Sequence, residues 1–176
     1  MREGAVVAPR ATLSEDGCAV VRASEAGELL ELHHKSEYGE LRGGVLALDP
    51  LEAAFLLERG KLELYTEGRK LSLPEAIAKF SEREGNFWVK FTVYSDLRKR
   101  GFIVKRGFSG GIDLVMKRRG SKAMEFAVSI VREGERVDFR DLSERLERAL
   151  RMGKELVISI VDREGNVSYY TLSKIF

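Results

Sequence analysis

Two acidic residues in the second half of the chain have a spacing typical of a metal-dependent nuclease site. Asp113 and Glu125 fall on two successive apolar segments that are predicted to be strands. Carboxylates placed on adjacent strands can hold a magnesium ion, which activates water against a phosphodiester. Such a site also needs a lysine two residues after the glutamate, and this chain has Ala127 there. The residues of a metal-dependent nuclease site are therefore incomplete, and a metal-dependent nuclease is kept only as an alternative function.

The other residues with chemical potential favour structural roles, so we predict no metal and no cofactor. His33 and His34 are adjacent, and on a strand adjacent side chains point to opposite faces, where they cannot share a metal. The segment 107–111 is rich in glycine but lacks the Gly-Lys-Ser/Thr of a phosphate loop, which favours a tight turn. Cys18 is the only cysteine, which excludes an internal disulfide and indicates a reducing, cytoplasmic location.

Charge is distributed unevenly along the 176 residues. The formal net charge is +2, but residues 90–122 hold ten basic and two acidic side chains, so this window carries +8 and the remainder −6. Such a window can face a polyanion or an acidic partner subunit, and the alternative is a solvated surface. Its basic residues are Lys90, Arg98, Lys99, Arg100, Lys105, Arg106, Lys117, Arg118, Arg119 and Lys122.

Composition excludes several classes of protein. A hydrophobic fraction of 44% is sufficient for a packed core and excludes wholesale disorder. No apolar run approaches the roughly 18 residues that a membrane span needs, and no secretory signal is expected. The chain has no glutamine and only two asparagines, but it is rich in arginine and glutamate, which indicates a thermophile.

Helix and strand signals divide the chain into two predicted domains. Asp49-Pro50 and Ser72-Leu73-Pro74 each place a capping side chain before a proline and predict two helices. A minimum of apolar residues near Gly85 predicts an N-terminal α/β domain over residues 1–84 and a C-terminal domain over residues 85–176. Strands of the first domain are predicted at Ala5–Val7, Cys18–Val21, Leu29–Leu32, Val45–Leu48 and Lys61–Tyr65.

The second half predicts the order helix, three strands, helix, two strands. Helices are expected over Phe87–Arg100 and from Asp138 to about Met152, each followed by a glycine. A hairpin turn is expected at Arg163–Asn166. The order predicts an α/β (α+β) fold in which a mixed sheet is flanked by helices. Its strands are predicted at Phe102–Val104, Ile112–Met116, Met124–Val131, Leu156–Val161 and Val167–Leu172.

Two groups of segments resemble the archaeal tRNA-splicing endonuclease family. The more specific features are the run Tyr94-Ser95-Asp96-Leu97-Arg98-Lys99-Arg100-Gly101 and the ending 162–170, with Gly165 and two adjacent tyrosines. The resemblance covers about residues 38–172 and implies that the C-terminal domain is restriction-endonuclease-like. The matching segments are 38–39, 46–57, 60–64, 93–107, 111–114, 154–162 and 165–170.

The resemblance implies a chemistry for which this chain lacks two groups. Members of the family cut introns from RNA at a bulge-helix-bulge without a metal, using a tyrosine base, a histidine acid and a lysine that stabilises phosphate charge. Aligned on the family pattern, Lys117 and Ala123 replace the tyrosine and the histidine, and Lys154 matches the lysine. Since each proton transfer contributes roughly a hundred- to ten-thousand-fold to the rate, we expect the chain alone to be inactive.

The resemblance also implies how the chain assembles. In the family an acidic loop near the C-terminus inserts into a basic pocket of the opposing subunit, and C-terminal strands pair. The interface residues implied here are Asp162, Arg163, Glu164, Val167 and Tyr169. The residues expected to face RNA are Arg98, Lys99, Arg100, Lys105, Arg106 and Arg148, the last being the neighbour of Glu147, which occupies a family base-clamping position.

These observations predict a structural subunit of a tRNA-intron splicing endonuclease. It is expected to form an α2β2 heterotetramer with a catalytic paralogue, to act on precursor tRNA, and to have no association with membranes. One alternative is an active nuclease, using Lys154 without a metal or Asp113 and Glu125 with one. A second alternative is a stand-alone RNA-binding module unrelated to splicing.

Overall fold

The structure is a computed structural model that describes residues 7–175. The chain divides into two compact units, Met1–Phe87 and Trp88–Phe176, each with its own sheet. Of the strand predicted at Ala5–Val7, residues 5 and 6 lie outside the described part. The longest helices within residues 7–175 have thirteen residues each, and none of the described helices has the length and apolar character needed to cross a bilayer.

The first unit is built on a six-stranded mixed sheet in the order β3-β4-β2-β1-β5-β6. Strands β1 and β5 are parallel, and the other neighbours are antiparallel. Three of these strands, β1, β3 and β6, lie where no strand was predicted. The strands are β1 (Arg10–Leu13), β2 (Ala19–Arg22), β3 (Glu40–Arg42), β4 (Val45–Leu48), β5 (Glu63–Thr66) and β6 (Arg69–Leu71).

Capping chemistry sets the start of two helices in this unit. Helix α2 spans Pro50–Glu58 and helix α3 spans Leu73–Arg83. The side chain of Asp49 accepts the backbone N–H of Leu51, and that of Ser72 accepts the backbone N–H of Glu75. A glutamate three residues after each cap closes a capping box. Both helix starts therefore agree with the sequence prediction.

Helix α1 spans Glu28–Ser36, so the strand predicted at Leu29–Leu32 is wrong. Leu29 and Ser36 are both buried and lie seven residues apart, a spacing that puts them on one face of a helix. The run of four residues at 29–32 is too short to distinguish the 3.6-residue period of a helix from the two-residue period of a strand. The two histidines lie on this helix, so the strand argument against a shared metal does not apply. The Nδ1 atom of His33 lies 2.8 Å from the carbonyl oxygen of Tyr38, so this ring is hydrogen-bonded to the backbone just after α1.

The second unit has the mixed sheet that was predicted, and its five strands lie in the order β11-β10-β9-β8-β7. Strands β9 and β10 are parallel, and the other neighbours are antiparallel. The element order of helix, three strands, helix and two strands is confirmed. The strands are β7 (Ile103–Phe108), β8 (Ile112–Lys117), β9 (Phe126–Arg132), β10 (Glu155–Val161) and β11 (Val167–Leu172), and the helices are α4 (Phe87–Lys99) and α5 (Phe139–Arg151).

Helices α4 and α5 cover opposite faces of this sheet. Leu156 of β10 and Ala127 of β9 are buried against Ala149 of α5. On the other face, Tyr169 of β11 contacts Asp96 of α4. Because successive strand residues point to opposite faces, both sides of the sheet are covered along its centre. This is the arrangement of a mixed sheet between helices that the sequence predicts.

Candidate functional site

The register of the second sheet brings three positions of interest to one end of it. Strand β8 ends at Lys117, and the antiparallel pairing of Met116 with Phe126 places the start of β9 beside it. Strand β10 begins beside β9, with Glu155 paired to Phe126. Lys154 directly precedes β10, and Ala123 lies on the loop that leads into β9. We call Lys117, Ala123 and Lys154 the strand-end cluster.

The strand-end cluster contains two amines and a methyl group. Lys117 is 6% exposed, and Ala123 presents only a methyl group on the exposed loop. The ammonium group of Lys154 donates to the carbonyl oxygen of Met152 at 3.4 Å. Neither a phenol nor an imidazole is present at these positions, so the cluster offers positive charge without a matched acid and base.

A single carboxylate organises the loop that carries Ala123. Glu125 accepts hydrogen bonds from the backbone N–H and the Nη1 atom of Arg118, each at 2.8 Å, and from the hydroxyl of Ser121 at 2.9 Å. The Arg118 N–H is the main cause that lowers the pKa of Glu125 below its ordinary value, followed by the Ser121 hydroxyl. The Arg118 guanidinium also lies 4.9 Å from the centre of the Phe126 ring. The loop is therefore fixed to the start of β9.

The geometry contradicts the alternative of a metal held by Asp113 and Glu125. The pairing of Leu114 with Val128 and of Met116 with Phe126 puts the two carboxylates at opposite ends of the β8–β9 pair. Four residue steps along a strand correspond to about 13 Å, which is too far to share one ion. Asp113 instead accepts the backbone N–H of Ile130 at 2.8 Å.

One residue of the predicted RNA-facing set lies in the interior. Arg98 is 7% exposed, and its guanidinium donates to the hydroxyl of Tyr94 at 2.9 Å and to the carbonyl oxygen of Val104 at 3.0 Å. The guanidinium of Arg98 therefore joins α4 to β7 inside the unit. The prediction that Arg98 contacts RNA is wrong, because the side chain is buried. A charge count along the sequence cannot reveal this, because burial depends on the fold.

The other predicted RNA-facing residues lie at or near the surface of the second unit. Lys99 and Arg100 are exposed at the end of α4, and Arg100 pairs with Asp96 at 2.8 Å. Lys105 and Arg106 are half-buried on β7. Arg148 of α5 donates to the carbonyl oxygen of Gly110 in the β7–β8 turn. This set remains a prediction.

The predicted interface residues surround the turn that joins β10 to β11. Asp162, Arg163 and Glu164 begin the turn, and Val167 is the first residue of β11. Tyr169 is half-buried, and its hydroxyl is bonded to Asp96 inside the unit, whereas Tyr170 is 59% exposed on the opposite face of β11. Tyr170 is absent from the predicted interface residues, although the alternation of side chains along a strand places it on the opposite face from Tyr169.

Comparison with known proteins identifies the family of both units. The family model described as "tRNA intron endonuclease, N-terminal domain" matches residues 10–77. The family model described as "tRNA intron endonuclease, catalytic C-terminal domain" matches residues 87–169. A protein named tRNA-splicing endonuclease from Pyrococcus furiosus is 36% identical over 140 residues, which covers 80% of this chain and 82% of that protein.

Two further relatives carry the same name. The protein from Thermococcus kodakarensis is 39% identical over 79% of this chain and 83% of its own length. The protein from Methanothermobacter thermautotrophicus is 34% identical over 88% of this chain and 92% of its own length. The alignments therefore extend through both units. This chain belongs to the tRNA intron endonuclease family.

Proposed function

We propose that this chain is a non-catalytic, structural subunit of a tRNA-splicing endonuclease. It assembles with a catalytic paralogue as an α2β2 heterotetramer that cleaves bulge-helix-bulge RNA in precursor tRNA in the cytoplasm. The strand-end cluster is the observation that carries the proposal. The resemblance assigns the family's tyrosine, histidine and lysine to positions that hold Lys117, Ala123 and Lys154 in this chain, and these three positions lie at one end of the sheet.

The chemistry of phosphodiester cleavage explains why this substitution pattern removes activity. In-line attack needs the 2′-hydroxyl to lose a proton and the leaving 5′-oxygen to gain one. A methyl group at Ala123 cannot donate a proton, and a lysine is ordinarily protonated near pH 7, which makes it a poor base. Lys154 alone supplies charge stabilisation. Two missing proton transfers correspond to a rate loss of roughly ten-thousand-fold or more.

The outer strand of the second sheet supports an assembly role. Strand β11 lies at the edge of the sheet and pairs only with β10 among the described strands of residues 7–175. An edge strand presents unpaired backbone groups that can bind a strand of another chain. Tyr170 on β11 and Leu150 on α5 are large exposed side chains on the same face, 59% and 48% exposed. We propose that this face and the β10–β11 turn contact the catalytic subunit.

The basic residues of the second unit support a contribution to RNA binding. We propose that Lys99, Arg100, Lys105, Arg106 and Arg148 provide positive potential toward the substrate backbone. Phosphate contacts release counterions, so binding through these residues should weaken steeply with salt. Arg98 is left out of this set because its guanidinium is buried and bonded within the unit.

Reconstitution tests the proposed function. The chain is mixed with a paralogue from the same genome that carries the tyrosine, the histidine and the lysine at the aligned positions. Cleavage of a bulge-helix-bulge RNA is measured for each chain alone and for the mixture, and the mass of the complex is determined. We expect activity only in the mixture, from a complex with two copies of each chain. A paralogue that is fully active alone would contradict the proposal.

Matched variants assign the chemistry within the mixture. Replacing the lysine of the paralogue by alanine should abolish cleavage. Lys154→Ala in this chain should change the rate by less than about threefold, because its neighbouring positions lack the acid and the base. Equal losses from both variants would show that this chain contributes a working catalytic site.

A further inference from the structure

The glycine-rich segment 107–111 contains the connection between β7 and β8. Ser109, Gly110 and Gly111 join the two strands, and we call these three residues the glycine turn. Gly110 and Gly111 each have φ +84°, a left-handed conformation that glycine adopts readily. Within the described part of the chain, the backbone N–H groups of these three residues donate no hydrogen bond. The glycine turn therefore has free donors at the surface of the second unit.

Two arginines of helix α5 lie against the glycine turn. The guanidinium of Arg148 donates to the carbonyl oxygen of Gly110. A Cβ on Gly111 would lie 2.6 Å from the Nε atom of Arg145, so the arginine occupies the space that a side chain would need. The Nη1 atom of Arg145 also donates to the hydroxyl of the fully buried Ser129 on β9, at 2.8 Å. Because residues three apart share one face of a helix, both guanidiniums lie beside the same turn.

Neither arginine is paired with a carboxylate of the described chain. No carboxylate oxygen of residues 7–175 lies within 4.0 Å of Arg145 or Arg148, whereas Arg140 on the same helix lies 3.9 Å from Glu144. The carboxylate on the hairpin itself, that of Asp113, accepts a backbone N–H of β9 at 2.8 Å. Both guanidiniums are half-buried, and a charge that is partly removed from water is stabilised by an opposite charge. The pair therefore lacks an anion.

The donors that remain at this place fit the oxygens of a phosphate. A guanidinium has five N–H donors in a planar fork, and Arg145 and Arg148 each use one of them within the chain. The other donors of the two forks, together with the N–H groups of the glycine turn, can bind one tetrahedral anion. The segment lacks the Gly-Lys-Ser/Thr of a phosphate loop, but α5 supplies the positive charge that such a loop would carry.

We propose that Arg145, Arg148 and the glycine turn form a binding site for a backbone phosphate of the RNA substrate. The assignment to RNA rests on the proposed function, since that function gives the assembly a polyanionic substrate. Lys105 and Arg106 lie on β7, the strand that leads into the glycine turn, and add positive charge to the same hairpin. The site is separated from Lys117 by the length of β8, about 20 Å, so it holds RNA away from the strand-end cluster.

Inorganic phosphate tests the site in the isolated chain. The amide signals of Gly110 and Gly111 and the Nε–H signals of the arginines are followed by NMR while sodium phosphate replaces sodium chloride at constant ionic strength. We expect saturable shifts that fit one millimolar dissociation constant. Arg145→Gln and Arg148→Gln should each weaken phosphate binding at least about fivefold. Arg140→Gln makes the same charge change on the same helix and should stay within about twofold of wild type.

A further comparison separates phosphate binding from simple support of the glycine turn. Arg148→Lys keeps the charge but loses the planar fork, so its affinity for phosphate should lie between those of wild type and Arg148→Gln. Urea denaturation is carried out in phosphate and in chloride. Phosphate should raise the urea midpoint of wild type more than that of either glutamine variant, because only a bound ligand stabilises the folded state. Equal midpoint shifts in wild type and both glutamine variants would show that the arginines only support the turn.

RNA binding tests the identity of the anion. Filter binding of a bulge-helix-bulge RNA to the isolated chain is measured over a range of salt concentrations. Arg145→Gln and Arg148→Gln should each lower the affinity about tenfold at low salt and reduce the slope of log affinity against log salt by about 0.7–0.9, the value for one lost phosphate contact. Arg140→Gln should retain the wild-type slope, and inorganic phosphate should compete with the RNA.

Three results would overturn the proposal. The absence of saturable phosphate shifts, or equal shifts in wild type and the glutamine variants, would overturn the site. Wild-type RNA affinity and slope in both variants would overturn the assignment to RNA. If those variants instead bound the catalytic paralogue more weakly, the site would belong to a carboxylate of that chain. The phosphate and RNA measurements use this chain alone, so a paralogue that is active without it would overturn the proposed function and leave these results standing.

Discussion

Tyr169 donates a hydrogen bond of 2.6 Å to Asp96, which joins the last strand of the second sheet to helix α4. The same carboxylate oxygen accepts from Arg100, whose guanidinium lies 5.5 Å from the centre of the Tyr169 ring. Tyr169→Phe removes the phenol donor and leaves the ring. We expect a loss of about 1.5 kcal/mol in the free energy of unfolding, the lower range for a bond to a charged group.

Tyr170→Phe is the matched control for that prediction. Its ring is 59% exposed on the other face of β11, so the same chemical change should cost less than about 0.5 kcal/mol. Urea denaturation of both variants provides the comparison. Equal stability of Tyr169→Phe and wild type would show that the hydrogen bond contributes nothing in solution.

The Tyr169 phenol also predicts how stability depends on alkaline pH. Burial, followed by the hydrogen bond to Asp96, raises the pKa of Tyr169 above its ordinary value of 10.0. The folded state therefore favours the protonated phenol, and this stabilisation is complete below pH 10 and is lost as the pH rises further. Between pH 9 and 11.5 the free energy of unfolding should fall more steeply with pH for wild type than for Tyr169→Phe. Parallel curves would contradict this.

Arg98 predicts a loss of stability without a specific loss of RNA affinity. Arg98→Met keeps most of the apolar stem but leaves the Val104 carbonyl oxygen and the Tyr94 hydroxyl without the guanidinium. We expect the free energy of unfolding to fall by about 2–3 kcal/mol. Lys99→Met, at an exposed neighbouring position, should change stability by less than about 0.5 kcal/mol.

RNA binding by the same two variants separates the roles of these residues. Filter binding at a temperature where both variants remain folded should show Arg98→Met within about twofold of wild type. Lys99→Met should bind more weakly and with a shallower dependence on salt. An Arg98→Met protein of normal stability and reduced affinity would restore Arg98 to the RNA-facing set.

Glu75 makes the start of helix α3 sensitive to acid. Hydrogen bonds to its carboxylate lower the pKa of Glu75 from 4.5 to about 2. The largest contribution comes from the backbone N–H of Ser72, and the next from the side chain of Arg69. The deprotonated form is favoured by folding, so its stabilisation is present above pH 4.5 and is lost as the pH falls toward 2. Glu75→Gln should flatten the stability profile of the protein between pH 5 and pH 2. Glu82→Gln, near the other end of the helix, serves as a control of equal charge change.

Features that depend on local chemistry could be predicted from the sequence. Asp49, Ser72 and Asp138 each cap a helix where the sequence places them, because capping involves only the next three residues. The order of elements in the second unit follows for the same reason. The strand prediction for Leu29–Leu32 was wrong because such a short apolar run fits the period of a strand as well as that of a helix. The surrounding unit decides which of the two forms.

The candidate site could be predicted only in part. The pairing of β8, β9 and β10 brings Lys117, Ala123 and Lys154 to one end of the sheet, which only the register reveals. Arg98 and Asp162 look like surface charges in the sequence, yet the fold uses both as internal hydrogen-bonding groups. Charge patterns identify which residues can ionise, whereas the fold decides which of them remain available.

The most direct test of the missing acid and base is single-turnover cleavage by the purified chain alone. A labelled bulge-helix-bulge RNA is incubated with excess protein, with magnesium and with EDTA, and compared with a buffer control. We expect no cleavage above the control in either condition, because Lys117 and Ala123 supply no proton transfer. Cleavage by the isolated chain at the splice sites, abolished by Lys154→Ala, would contradict it.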